Sequence, residues 1–325
     1  MSALSPTGTA RERFLAARGE RLDGDDRARG ATSPGVDPEE REAAYLGWEI
    51  ARCARQLEGR ARLAAEVLAA ACVGAMRAGS TRVATDARLR PALAAVGAEG
   101  ALDDARALIE RVRDGDAAAL AVIGRPGDRT PMVLEGDWLY PERMRVLEER
   151  FCARVRARRA KPVTLEAKDA KAVARALKAV TDGPPPLTDE QKRAVRAALS
   201  SPLALVTGGP GTGKTTIVVA LLRALAWTGI PMESIAIAAP TGKAAQRLQE
   251  AISGGLAAAA RDMADATLST TAPEPQTLHR LLGWSPSSGR FARHENDPLP
   301  HRVVLVDEAS MIDLAAMDRL LRALR

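Results

Sequence analysis

A chain of 325 residues has room for about two domains, and with 46% apolar residues it has ample material to bury. Its four Trp, two Tyr and three Phe are few, so its cores must pack on Ala, Leu and Val, in a helix-heavy fold. The formal charge of +6 is modest, and Cys53, Cys72 and Cys152, odd in number and with no Cys-x-x-Cys pair, argue against a disulfide framework or a cysteine zinc site.

Residues 1–40 are rich in Ser, Thr, Gly, Pro, Asp and Arg and poor in aliphatics, a composition that cannot offset its ordering entropy; a disordered arm is expected. The N-terminus has no apolar run before a cleavage site. The most apolar stretch, 62–79, carries Arg62, Glu66 and Arg77 and is too short and charged to span a bilayer. A reducing cytoplasm, with no membrane partner, is the expected setting.

Helical periodicity begins at Pro38 and runs to about Gly79, with Trp48, Ile50, Ala51, Ala54 and Leu57 on one face. Helices are expected again over Arg88 to Val96 and Leu102 to Val112. Alternation around Gly136-Asp137 predicts a hairpin of Met132 to Leu134 with Trp138 to Tyr140, followed by a helix from Pro141 to Arg159. Residues 41–160 thus read as a mostly α-helical N-terminal domain. A basic helix and a Pro-rich linker, ending in Asp182-Gly183-Pro184-Pro185-Pro186, occupy 161–186.

Charge is unevenly spread: residues 151–200 hold twelve Lys/Arg against five Asp/Glu, whereas the first fifty hold seven against ten. The basic middle and Lys243 predict salt-sensitive binding of single-stranded DNA; the plain alternative for Arg154 to Arg159 is a solvated helix face.

From residue 187 short aliphatic runs alternate with helices: Ala204 to Thr207 then Thr215 to Trp227, Ile235 to Ala239 then Ala244 to Ala251, and Val303 to Val306 then Leu314 to Leu324. That rhythm predicts an α/β domain with a parallel sheet. Its first strand leads into Gly208-Gly209-Pro210-Gly211-Thr212-Gly213-Lys214-Thr215, which satisfies the phosphate-loop pattern Gly-x-x-x-x-Gly-Lys-[Ser/Thr]. Glycines let successive N–H groups turn inward on phosphate oxygens, and the next helix adds the positive end of its dipole. Lys214 is placed for the β- and γ-phosphates of ATP and the Thr215 hydroxyl for Mg²⁺.

A later strand delivers Asp307 and Glu308 at its end. An acidic pair after a strand is by itself an ordinary helix cap; behind a phosphate loop, Asp307 reads as a Mg²⁺ holder and Glu308 as the group polarising the attacking water. Asp313 reads as an N-cap. Thr188 with Gln191 fits a capping box, while the Gln191 amide also suits the edge of adenine, and spacing leaves the two open. Thr241 and Lys243 follow one strand, so they could grip a nucleic-acid phosphate or form a plain strand-to-helix turn. Ser285-Pro286-Ser287-Ser288-Gly289 signals a turn, so Trp284 to Asp297 is a candidate protruding hairpin.

Taken in order, Gly208 to Thr216, Ala239 to Ala245, Thr277 to Gly283 and Val306 to Leu314 resemble motifs I, Ia, Ib and II of the RecD family, the exonuclease V α subunits among superfamily 1B DNA helicases. Thr130 to Tyr140 with Arg143 resembles the end of that family's helical N-terminal domain. The resemblance covers about residues 45–325 and implies a P-loop NTPase with a RecA-like parallel sheet, incomplete here, in 187–325. It also implies ATP-driven 5′→3′ movement on single-stranded DNA, in a complex with RecB-like and RecC-like subunits that processes broken DNA ends for recombinational repair. By the same resemblance Gln191 and Thr216 join the nucleotide contacts, Thr241, Lys243, Thr277 and His279 face DNA, and the Trp284 to Asp297 hairpin separates strands. Motifs III to VI have no counterpart before Arg325. The competing expectations are a nucleotide- and DNA-binding module without ATP turnover and a fragment of a stand-alone RecD-like helicase.

Overall fold

The computed structural model describes residues 38–51, 55–161, 167–181, 186–209, 211–259, 268 and 270–325. Residues 1–37, Cys53, Ala54, Asp182 to Pro185 and Pro210 lie outside them. The chain divides into two compact units, 1–149 and 150–325.

In the first unit α1 (Pro38–Ala51) packs on α2 (Gly59–Arg77). Alanines set the closeness of that packing: Ala64, Ala65, Ala69 and Ala70 are fully buried, and a Cβ on Gly47 would lie 2.4 Å from the Glu66 carbonyl. Leu57, expected on the first helix, instead sits in the turn after it, still buried. Next come β1 (Val83–Ala84), α3 (Leu89–Ala94), α4 (Leu102–Arg113), α5 (Ala117–Leu120) and β2 (Ile123–Gly124). The anticipated hairpin forms from β3 (Met132–Glu135) and β4 (Trp138–Pro141), pairing Leu134 with Leu139. Two very short strands, β1 and β2, extend it to a four-stranded sheet ordered β1-β4-β3-β2. At two residues each they carry no readable alternation, so only their partners define them.

The unit boundary falls within α6 (Glu142–Arg159). The second unit continues with α7 (Ala167–Thr181), α8 (Asp189–Ser200), α9 (Lys214–Trp227), β5 (Ile235–Ala239), α10 (Gly242–Ala259), β6 (Gln276–Thr277), α11 (Leu278–Leu281), β7 (Trp284–Ser285), β8 (Arg290–Phe291), β9 (Val303–Val306) and α12 (Leu314–Ala323). Its sheet is parallel, ordered β6-β5-β9, which makes this an α/β fold of P-loop type behind a mainly helical first unit.

Alternation along β5 sends Ile235 and Ile237 to one face, where Val219, Leu222 and Leu225 of α9 and Leu248 and Ile252 of α10 cover them. Ala236 and Ala238 face the other way, against Leu278 and Leu281 of α11 and Leu320 of α12. The opposite side of α9, Ile217, Ala220 and Ala224, receives Ala176 and Val180 of α7 and Val195 of α8. A helix covered on both sides must be apolar around most of its circumference, which is how its sequence reads. The basic helix before the linker is thus a packed layer over α9.

One expected strand is missing. Leu203 to Thr207 form no ladder; Leu205 is 83% exposed and Val206 39%. A strand exists through its hydrogen-bonded neighbours, and among the described residues β5 takes β6 and β9 while the far edge of β9 pairs with nothing. The segment instead borders a groove of about 420 Å³ lined also by Ala194 and Ala197. Exposed apolar side chains on an unpaired, extended segment favour self-association. Leu205→Lys is expected to lower concentration-dependent oligomerisation in sedimentation velocity while changing unfolding free energy by less than about 0.5 kcal/mol.

Candidate nucleotide and nucleic-acid site

Sheet register fixes where the candidate residues meet. Ala239 of β5 pairs with Thr277 of β6, and Ala238 pairs with Val306 of β9. Thr241, Thr277 and Asp307 therefore emerge at the same carboxyl edge, and the Asp307 amide donates to the Ala238 carbonyl at 2.9 Å. The phosphate loop reaches this edge by a different route. The short connection from α9 to β5 and their shared core make the helix antiparallel to the strand, so Lys214, at its N-terminus, lies toward the strands' carboxyl ends.

Within the loop, Lys214 Nζ donates to the carbonyls of Gly208 at 2.8 Å and Gly209 at 3.0 Å. Thr212 Oγ1 also donates to Gly209, at 2.9 Å. Gly213, the residue before α9, has φ +79°, and a Cβ there would lie 2.4 Å from Gln191 Nε2. Gly209 and Gly211 face open space, with nothing within 4 Å of a Cβ. No side chain caps α9, so its first N–H groups remain available. Space, uncapped donors and a cation together fit a phosphate group. Thr215 and Thr216 follow in the first turn, half-buried. Pro210 lies outside the described residues.

Gln191 resolves into two bonds. Its Oε1 accepts from the Thr188 amide at 3.0 Å and its Nε2 donates to the Thr212 carbonyl at 3.1 Å, completing the capping box and tying α8 to the phosphate loop. Each end of the amide makes one bond, which leaves a second N–H and a second lone pair for contact with a base.

Glu308 has φ +48° and ψ +40°, and it alone among the described non-glycine residues has positive φ. Its side chain makes no capping bond and is exposed. A left-handed glutamate costs about 1–2 kcal/mol, and such strain concentrates at functional positions. Among the described residues no three His, Cys, Asp or Glu side chains are grouped to hold a metal ion. Mg²⁺ at Thr215 and Asp307 would therefore need phosphate oxygens to complete its shell.

The other candidates divide. Thr241 Oγ1 accepts from the Ala244 amide at 3.2 Å and Thr277 Oγ1 from the Arg280 amide at 3.2 Å, so both hydroxyls cap helices, while Lys243 is exposed. Asp313 caps α12 as expected, accepting from Ala316 at 2.7 Å. His279 joins an aromatic group, 6.2 Å from Trp284 and 5.6 Å from Phe291 between ring centroids. Trp284 is 40% exposed, and Arg319 stacks on Phe291 at 4.7 Å. Sequence spacing marks His279 and the Trp284 to Asp297 hairpin separately but not their contact, for which two of the chain's nine aromatics flanking one turn is the available signal.

The hairpin of β7 and β8 is short, and the segment that follows its return strand is clamped to α12. Arg322 grips Glu295 with two bonds of 2.8 and 2.7 Å, and the Leu299 amide donates to Ala323 at 2.7 Å.

Two outcomes follow. Glu308→Gly should be more stable than Glu308→Ala by about 0.5–1 kcal/mol in urea titration, because glycine accepts the left-handed backbone without strain. The Arg322 hydrogen bonds hold Glu295 down at about 2. A depressed carboxylate stabilises above its unfolded value and loses that contribution as pH falls through the folded one. Hydrogen-exchange protection of 284–297, corrected for intrinsic rates, should therefore fall between pH 4.5 and about 2. Glu295→Gln should show the low-protection behaviour already at pH 7.

A family described as an AAA domain matches residues 191–325. The RecBCD enzyme subunit RecD of Mycolicibacterium smegmatis is 42% identical over 219 residues, 65% of this chain and 37% of that protein. The subunit of the same name from Haemophilus influenzae is 41% identical over 140 residues, 42% of this chain and 22% of that protein. The ATP-dependent RecD2 DNA helicase of Deinococcus radiodurans is 34% identical over 137 residues, 42% of this chain and 16% of that protein. The matches span well under half of each relative. Among the described residues no helix is long and apolar enough to cross a membrane.

Proposed function

We propose that the chain belongs to the RecD family and carries the ATP-binding part of a DNA helicase subunit. Two features support this reading: an uncapped glycine loop that holds Lys214 at the start of α9, and the strained, left-handed Glu308 just past the carboxyl end of β9. Lys214 exchanges the carbonyls of Gly208 and Gly209 for phosphate oxygens, trading neutral acceptors for anionic ones, which form the stronger bonds. Thr215 and Asp307 would hold Mg²⁺, which neutralises charge between phosphates. Glu308, free of hydrogen-bonded duties in its cap, orients the attacking water. Gly208 to Thr216 line the phosphates, and Gln191 reads adenine with the amide N–H and lone pair left over from its bonds to Thr212 and Thr188.

On the nucleic-acid side, Lys243 contacts a backbone phosphate while Thr241 and Thr277 act through the helices they cap. His279 and Trp284 offer faces on which a base stacks, an interaction worth about 1–3 kcal/mol. We assign 5′→3′ translocation on single-stranded DNA, action at DNA ends in break repair, a cytoplasmic setting, and assembly with RecB-like and RecC-like chains; the relatives' names as RecBCD subunits support the last of these.

Equilibrium dialysis with labelled ATP and Mg²⁺ tests the core of this reading. The chain should retain nucleotide; Lys214→Ala should weaken retention at least tenfold, and Glu308→Gln should retain it. If the folded chain fails to bind ATP, the motor reading fails; binding without DNA-stimulated hydrolysis marks a binding module.

A further inference from the structure

We propose that α7 carries an additional anchoring site for the phosphate backbone of single-stranded DNA, built from Lys171, Arg175 and Lys178 and separate from the strand-end residues. The proposal rests on the DNA-motor reading above for its anionic polymer, and on the surface of α7 for its position.

Residues 171, 175 and 178 follow the spacing that puts side chains on one helical face, and all three are exposed. The helix is held from the other side, where Ala176 and Val180 are buried against Ile217, Ala220 and Ala224 of α9. From Lys171 to Thr181 the sequence contains no Asp or Glu, and none of the three cations has an acidic partner among the described residues. Several neighbouring basic residues differ. Arg150 and Arg154 are both committed to the buried Asp318, at 3.0 and 2.6 Å, and Arg158 donates to the Arg325 carbonyl at 2.8 Å. Arg193 pairs with Glu190 and Lys192 with Asp189. Within 151–200 the charge of Arg154 and Arg158 on α6 and of Lys192 and Arg193 on α8 is thus taken up, while Arg156 and Arg159 at the end of α6 are exposed and, like the three cations that line one face of α7, have no acidic partner among the described residues.

A solvated face that serves only solubility alternates charge sign at this spacing, because like charges four residues apart repel. The dipole at the helix C-terminus relieves Lys178 but not Lys171 or Arg175. An external anion relieves all three. Along the axis the cations are separated by about 6 Å and about 4.5 Å at 1.5 Å per residue, a span that one flexible strand can follow with consecutive phosphates. Arg196 on the adjoining α8, exposed and also without an acidic partner among the described residues, extends the surface.

Fluorescence anisotropy of the full chain with 5′-fluorescein dT20, titrated from 50 to 200 mM NaCl, tests this. Lys171→Gln/Arg175→Gln/Lys178→Gln should bind more weakly at low salt, and the slope of log K against log salt should shrink by about 2, at about 0.7 per phosphate contact. The charge-preserving Lys171→Arg/Arg175→Lys/Lys178→Arg should keep the wild-type slope, which separates charge from folding. Lys243→Gln, at the strand ends, should add its own loss to that of the triple variant. An unchanged slope in the triple variant overturns the site while leaving the motor reading in place. Loss of polyglutamate binding with dT20 binding intact also overturns it, and marks α7 as a surface for an acidic protein. Failure of the wild-type chain to bind dT20 overturns the proposal, and labelled-ATP retention then shows separately whether the nucleotide reading survives.

Discussion

The parallel register of β5 with its two neighbours is the constraint on which the candidate site depends. With Ala238 opposite Val306 and Ala239 opposite Thr277, the residues leaving three strands come out level. A slip of one residue would turn Ile235 and Ile237 from α9 toward α11 and α12, so the core that fixes the fold also fixes the site. Burying these two isoleucines is worth about 1.5–3 kcal/mol each, more than the strain of one left-handed glutamate. The sheet can therefore hold Glu308 in a conformation that it would not adopt alone.

The phosphate loop depends on the same core less directly. It is suspended between the unpaired Leu203 to Thr207 segment and α9, and its firmest attachment is to α9. Gln191 supplies a second tether from α8, and Gly213 leaves room for it. Lys214 holds the loop's own carbonyls, a closed internal arrangement that an incoming phosphate can displace without first breaking a salt bridge.

How much could be read in advance varied with the range of the interactions. Ile235 to Ala239 and Val303 to Val306 formed as expected because their runs are apolar and their partners lie within the chain. The capping box at Thr188 and the cap at Asp313 are local and equally legible. Ala204 to Thr207 looks no less strand-like, but its residues have no ladder partner among those described, and a sequence run carries no information about that. Packing of α7 on α9 was hidden for a related reason. That segment's charge makes it read as a basic, solvated helix, while its contact is made by Ala176 and Val180, small side chains whose partners on α9 the sequence does not name. The site followed the same rule. Contiguous residues such as Gly208 to Thr215 are legible, whereas the contact of Arg319 with Phe291 joins positions 28 apart and needs the fold.

α12 ties these features into one mechanical unit. It starts at the Asp313 cap, six residues beyond Asp307, and carries in succession Asp318, Arg319 and Arg322. Asp318, 2% exposed, is neutralised by two arginines of α6, and losing both would strand a buried carboxylate at a cost of about 3–5 kcal/mol. Arg319 and Arg322 reach the other way, to Phe291 and Glu295 of the hairpin region. The helix thus spends one charge on holding itself in place and two on holding the hairpin. Because those charges face different partners at successive positions, α12 can neither rotate nor slide without breaking at least one of them. The hairpin is consequently borne by the same rigid element that leaves the acidic end of β9.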